Sequence, residues 1–419
     1  MLVLIIVVLL TYNINAQTWE EIGFNLPTGD SVSYNTEITF ANKNIGWLYT
    51  EFYHENEYLG SLYRTTNGGE SWDKIENLNI NFSAYVTLFS TEPDFFYITS
   101  SSSAAYTNDG GITWNYINLS TTGFLEIYFF DNKNGVAGDG YSWITSDGGK
   151  TWNRKGKLAW PRGFYFHNHK LGWAVGYSPS SEDDGYIAKT TDGGTSWVYQ
   201  DSTFGGMVDY FGIDFIDSLK GFAVGGSTDK TIDGGNNWET YPGQSGYDIG
   251  FLDDRHGWIS SAGNILNTSD GGETWEAQLD SIMHYLFIKI MVLKKDRFAY
   301  VLGINPINYN ATLLRADLSG ITNVENNKKT TPNNFYLYQN YPNPFNPVTT
   351  ISYELPVTGF VNLTIYDVLG EKVDVLVNEE KNAGKNIVTW NGERFSSGIY
   401  TARLTTGEFD KSIKLLLLK

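Results

Sequence analysis

The stretch SDGGKTW at 146–152 recurs with small variations along a chain of 419 residues, as TNGGESW from Thr66, NDGGITW from Asn108, SDGGKTW from Ser146, TDGGTSW from Thr191, IDGGNNW from Ile232 and SDGGETW from Ser269. Measured on Asn67, Asp109, Asp147, Asp192, Asp233 and Asp270, successive copies are 42, 38, 45, 41 and 37 residues apart. That is the period of a four-stranded unit, at about five residues per strand plus turns. Each copy has a local physical reading. An Asp or Asn at the turn accepts hydrogen bonds from amides just ahead of it, and Gly-Gly supplies the positive φ of a tight hairpin. The closing Trp (Trp72, Trp114, Trp152, Trp197, Trp238, Trp275) then tucks under the hairpin or between units.

A second phrase precedes most boxes: IGWLYT at Ile45, NGVAGD at Asn134, LGWAVG at Leu171, KGFAVG at Lys220 and HGWISS at His256. Before it runs an apolar-aromatic strand such as IYFFD or IGFLD. Residues 249–278 therefore read as four successive strands, with the box between the third and fourth. No helical periodicity of useful length competes with this reading. Four-stranded units repeated around an axis make a β-propeller, which leaves only short, protected edges. A seventh unit is expected from 284 to 317, with Asp317 standing where its box belongs but without the trailing Thr-Trp. Thr18, Trp19 and Glu20 match Thr274, Trp275 and Glu276, so the N-terminal segment is expected to supply the last blade's fourth strand.

The box phrase resembles the Asp-box, or BNR, repeat of sialidases, sortilin-type receptors and photosystem II assembly-factor propellers. The resemblance spans about residues 18–317 and implies a structural role for the box residues on the propeller rim, not a catalytic one.

Composition bounds the partners. With 47 acidic and 29 basic residues the net charge is −18, which disfavours nucleic acid and anionic membranes. The first ten residues, MLVLIIVVLL, are too short to span a bilayer. With Ala16 at a cleavage position they read as a signal peptide over 1–16, so no integral span remains in the mature chain. Cysteine is absent, so an exported protein relies on packing and strand pairing.

After a propeller over 17–318, the Asn-rich 319–334 reads as a linker. Residues 335–419 return to short alternating strands, expected as an immunoglobulin-like β-sandwich. Four elements in order carry a resemblance here: Pro342 to Pro347 with Thr350-Ile351, YDVLGEKV at 366–373, SSGIYTARL at 396–404, and Lys411, Lys414 and Lys419. They look like the type A C-terminal sorting domain of the type IX secretion system. That implies partnership with the secretion machinery, passage through the periplasm, and a secreted or cell-surface destination.

Catalytic motifs are missing: no G-x-S-x-G, H-E-x-x-H, P-loop or G-x-G-x-x-G occurs, and no cofactor or metal is expected. His167 and His169 are placed on one strand face, and Ser181 to Gly185 (SEDDG) reads as a solvated loop. A sialidase needs three converging arginines and an Arg-Ile-Pro phrase. The phrase is absent, and only Arg162 sits on the face opposite the boxes. That face, built from second-to-third loops and blade crossovers, gathers the ligand-binding candidates Trp160, Arg162, Asp209, Tyr210, Tyr247, Asp248 and Tyr285. Aromatic faces with interspersed carboxylates suit a sugar or peptide. The expected function is a secreted, non-catalytic propeller that binds a protein or glycan; the alternative is a divergent glycoside hydrolase, sialidase-like or another exo-glycosidase.

Overall fold

The computed structural model describes residues 19–22, 24, 36–54, 57–76, 78, 80, 86–100, 103–119, 123–177, 185–200, 209–241, 244–279, 285–307, 311–321, 335–340, 343–407 and 409–419. The expected signal peptide and most of the linker lie outside them. The chain divides into two compact units, 1–321 and 322–419, and the described residues contain strands but no helix.

Seven four-stranded antiparallel sheets make up the first unit. Six are continuous in sequence: 37–74, 86–118, 126–158, 160–199, 210–241 and 248–277, called blades one to six. The seventh joins Leu286–Leu293, Phe298–Ile304 and Ala311–Asp317 to the N-terminal strand Glu20–Ile22. The first strands touch in cyclic order, and that of blade seven touches that of blade one, so the ring is closed. These repeated sheets are the blades of a β-propeller.

Each box is built around a threonine two residues before the Asp or Asn, which the sequence reading passed over. In blade four the Thr190 hydroxyl donates to Asp192 Oδ1 at 2.8 Å and accepts from the Gly194 amide at 2.9 Å. Asp192 Oδ1 also accepts the Ser196 amide, while Oδ2 accepts the Ser196 hydroxyl at 2.6 Å. Thr65, Thr107, Thr145, Thr231 and Thr268 repeat the arrangement. In the first box, Asn67 instead donates through its amide to Ser71 Oγ. The Thr113 hydroxyl and amide, with the Thr107 hydroxyl and the Ile112 amide, hold the Asp109 carboxyl down at about 2.

Both box glycines take positive φ, and the second lies close against a side chain of the preceding blade, an aromatic ring for Gly111, Gly149, Gly235 and Gly272 and an aliphatic one for Gly69 and Gly194. A methyl carbon on Gly272 would sit 2.3 Å from Phe222, and on Gly149 2.3 Å from Tyr97. The box Trp wedges into the same seam. Trp114 meets Trp47 edge-on at 5.9 Å, Trp275 meets Phe222 at 6.0 Å, and Trp152 donates to Tyr97 Oη at 3.0 Å. Within a blade, the glycine opening the second strand sits against the Phe closing the first, as Gly221 does on Phe215.

Closure uses the same parts from another source. Glu20 pairs with Arg315 and Ile22 with Leu313, while Trp19 donates to Gln278 Oε1 at 2.8 Å, an oxygen shared with Trp258 Nε1. Thr18 lies outside the described residues. Asp317 is one position off its expected role. Tyr300 pairs with Arg315 as Trp47 pairs with Arg64, so Ala316 takes the place of the box threonine and buried Leu318 that of the Asp.

The second unit has two sheets: Tyr336–Leu337, Val348–Leu355 and Gly384–Asn391 in one, and Gly359–Tyr366, Lys372–Lys381, Gly398–Thr406 and Phe409–Leu417 in the other. Ile351, Tyr353, Leu363, Ile365, Trp390, Leu404 and Leu415 share one core. The proline-rich approach is pinned by Asn343, which donates to the Lys414 carbonyl and accepts from the Leu416 amide, and by buried Phe345.

Two outcomes are expected. Thr231→Ala strips partners from Asp233 and the Gly235 amide and should cost about 1–3 kcal/mol in urea unfolding, with Thr231→Ser recovering most of it. Removing residues 17–23 exposes the edge of the last sheet and should abolish cooperative unfolding of the propeller; an unchanged calorimetric transition would rule out closure by this strand.

Candidate functional site

A constant spacing organises the channel end of every blade. Nine residues before Gly46, Phe96, Gly135, Gly172, Gly221 and Gly257 of the second strands stand Glu37, Thr87, Glu126, Gly163, Gly212 and Asp248; in blade seven, with its longer turn, Lys289 takes the place. Strand register confirms the equivalence: these residues pair with Tyr49, Thr99, Gly138, Val175, Val224, Ser260 and Leu302, each three residues into the second strand. One residue per blade thus forms a layer around the axis, with side chains in five blades and glycine in blades four and five. The preceding position forms the next layer outward, occupied in blades four, five and six by Arg162, Phe211 and Tyr247.

In blades four and five that outer position is an extra residue in the first strand. Register skips from Pro161 to Gly163 and from Tyr210 to Gly212, and such bulges re-aim the side chain they carry. The Arg162 guanidinium lies 4.6 Å from the Tyr177 ring and 4.7 Å from the Phe211 ring. Trp160 meets Tyr177 edge-on at 5.2 Å, and Tyr247 lies 5.8 Å from Phe211. Arg162 is exposed and the four aromatic residues are half-buried. The result is a row across three blades: Trp160, Tyr177, Arg162, Phe211, Tyr247.

Three of the seven residues singled out by sequence therefore lie in this row, and the others are placed differently. Tyr210 is buried and donates its hydroxyl to buried Asp229, so it supports the row from beneath. Asp209 is half-buried, and its carbonyl accepts the Gly226 amide. Asp248 belongs to the channel layer, accepting the Ile249 and Ile290 amides at 2.9 and 3.1 Å. Tyr285 stacks on Phe287 in the core between blades six and seven. Tyr177 and Phe211 were missed individually, although Phe211 was open to discovery by counting ten residues back from the second strand.

His167 and His169 lie in the turn after Trp160–Phe166, not on a strand, with His169 stacked on Phe130 at 4.9 Å. Most of SEDDG lies outside the described residues. Among the described residues, no three metal-ligating side chains converge.

The channel layer is electrostatically uneven. Lys289 Nζ is 3.9 Å from Glu37. Burial pulls its ammonium down, yet Glu37, Asp248 and Glu126 outweigh that and hold it above its ordinary value. Burial raises Glu37 against the pull of Lys289. Glu126 is pushed up to about 8 by burial, opposed by Lys289 and reinforced by Glu37 and Asp248. Asp248 rises to about 6 for the same first reason, with Lys289 and two amides pulling it back.

Residues 339–418 match the secretion system C-terminal sorting domain, which marks the protein for export to the cell surface or beyond. Among solved structures the chain is similar to YCF48 bound to D1 peptide, at 21% identity over 72% of this chain and 96% of that one, with a TM-score of 0.55. It is similar also to YCF48 from Cyanidioschyzon merolae, at 19% identity over 71% and 98%, with a TM-score of 0.53. A third likeness is to PorZ, a surface component of the type IX secretion system of Porphyromonas gingivalis, at 15% identity over 91% and 59%, with a TM-score of 0.49. No curated protein sequence matches the chain. The YCF48 likenesses show the propeller fold. No helix among the described residues is long and apolar enough to cross a membrane.

Because Glu126 has a folded pKa near 8 against about 4.3 unfolded, it contributes stability that is complete at low pH and lost as pH rises to 8. Glu126→Gln should therefore flatten the upper part of the decline in melting temperature between roughly pH 5 and 9. A variant that declines as steeply as the parent contradicts the assignment.

Proposed function

We propose that the chain is an exported, non-catalytic propeller that binds an extracellular protein or glycan through the row from Trp160 to Tyr247. The observation carrying this reading is the row itself: five side chains from three blades, four of them aromatic, half-buried and brought to one place by two bulges. Such side chains combine large contact area with low conformational cost. The likeness to YCF48, a propeller solved with a peptide bound, is compatible with a protein ligand. The sorting domain, read as a type A tail of the type IX system, delivers this surface to the outside, where binding partners are extracellular.

A second reading, a divergent glycoside hydrolase, draws support from the channel layer. Carboxyl groups whose pKa values are pushed apart are how glycosidases divide acid and base roles, and Glu126 and Asp248 differ in this way. Against it, Lys289 stands among these carboxylates and satisfies Glu37, as a structural ion pair does.

Full-length protein screened against glycan and peptide arrays should show binding that Tyr247→Ala weakens about tenfold, and no turnover of chromogenic glycosides or polysaccharides. Turnover lost in Glu126→Gln or Asp248→Asn would establish the hydrolase instead.

A further inference from the structure

Arginines elsewhere in the first unit are largely used within the chain. Arg255 donates to the Ser269 carbonyl, Arg297 to the Leu318 and Ile321 carbonyls, and Arg315 to Glu20 and Glu70. Arg64 and Arg154 each lie over one ring, of Trp47 and Tyr141; Arg162 lies against two. Its guanidinium lies over Tyr177 and Phe211, its side chain is exposed, and among the described residues no carboxylate pairs with it. Rings at 4.6 and 4.7 Å restrict the guanidinium's orientation before any ligand arrives. Its N–H groups remain available along the edge of the plane, where a carboxylate accepts two parallel bonds. The cost of ordering a long side chain has already been met in the unbound protein.

The bulge gives this position its purpose. An ordinary register at Pro161–Gly163 would not leave Arg162 as an additional residue, and Gly163 lets the next blade's first strand approach closely, a Cβ there lying 3.3 Å from the Phe211 carbonyl oxygen. We propose that Arg162 reads a single carboxylate on an otherwise uncharged glycan whose sugar rings lie along Trp160, Phe211 and Tyr247. This rests on the binding reading above and specifies its ligand.

Charge selects the class. A chain of net charge −18 repels a polyanion, whereas one carboxylate is matched by one guanidinium. The row offers aromatic faces and a planar cation, which suit sugar rings and a uronate group. Peptide recognition by strand addition draws instead on backbone hydrogen bonds.

Calorimetric titration of the full chain tests this with three probes: a xylan oligosaccharide bearing one glucuronate, the same oligosaccharide with that carboxyl reduced to the alcohol, and polygalacturonate. The parent should bind the glucuronate form about tenfold or more tightly than the reduced form, and polygalacturonate no better than the single-glucuronate form. Arg162→Gln should erase the preference, lowering affinity for the glucuronate form far more than for the reduced form. Arg162→Lys should restore only part, because it keeps the charge and loses the planar fork. Circular dichroism melts should be the same for all three proteins, since Arg162 is exposed.

Equal affinity for the glucuronate and reduced forms, a preference that survives Arg162→Gln, tighter binding of polygalacturonate, or no binding of any probe would each overturn the inference. The underlying reading fails separately. If the parent binds array ligands and Tyr247→Ala and Arg162→Gln both bind them as the parent does, the row is not the binding surface at all.

Discussion

One threonine hydroxyl per blade, set beneath a Gly-Gly turn, fixes the geometry on which most of the ring depends. In six blades it donates to the Asp or Asn and accepts from the second glycine, so it determines how the turn folds over. Only then can the second glycine lie against a side chain of the preceding blade, aromatic in four boxes and aliphatic in two, with the box Trp wedged into the same seam. A hydrogen bond within one hairpin is in this way converted into an angle between two sheets. Because each seam repeats it, the rotation per blade is set locally and the circle is the accumulated result.

Blade seven shows what the seam requires when the box is missing. Its third strand ends in Ala316, Asp317 and Leu318, which cannot reproduce the threonine network, and the chain supplies the missing fourth strand from residues nearly 300 positions away. Trp19 stands where the box Trp stands in other blades, and Arg315 binds both Glu20 of the closing strand and Glu70 beside the first box. Closing so long a loop carries an entropic cost that grows only slowly with length, and it removes the unpaired edges that an open stack would present.

The repeat, its all-β character and the tail were legible because each is encoded in contiguous residues. The threonine was legible as a position, standing two places before every box Asp or Asn, but its role depends on a hydroxyl reaching across the turn to the second glycine's amide, which residue identity alone does not show. Asp317 misled because a lone acidic residue near the expected position was matched by chemistry and not by strand register. The channel layer was harder. Glu37, Glu126, Asp248 and Lys289 come from four blades spread over some 250 residues, and nothing local marks any of them. Only counting back from a shared landmark brings them into one plane. Trp160, Arg162 and Tyr247 fall in one row with Tyr177 and Phe211, whereas Tyr210, next to Phe211 in the chain, is buried: the one-residue bulge decides which of two adjacent aromatics faces out.

The two ends of the propeller are thus under different constraints. At the box end, side chains are committed to seams: Lys189 donates to the Gly234 carbonyl of the next box, Lys230 to Glu273, and Arg315 to Glu70. A change there alters the angle between blades before it alters any surface. At the opposite end the first strands still touch across blades, a Cβ on Gly163 lying 3.3 Å from the Phe211 carbonyl oxygen and one on Gly212 2.8 Å from Asp248 Cα, and it is the residues beside these contacts that face outward. Arg162 illustrates the difference, because its ring contacts are to side chains that are themselves half-exposed, and no seam depends on its charge. Among the described residues this cation has no carboxylate partner, so the two ends differ in what their charged side chains are committed to.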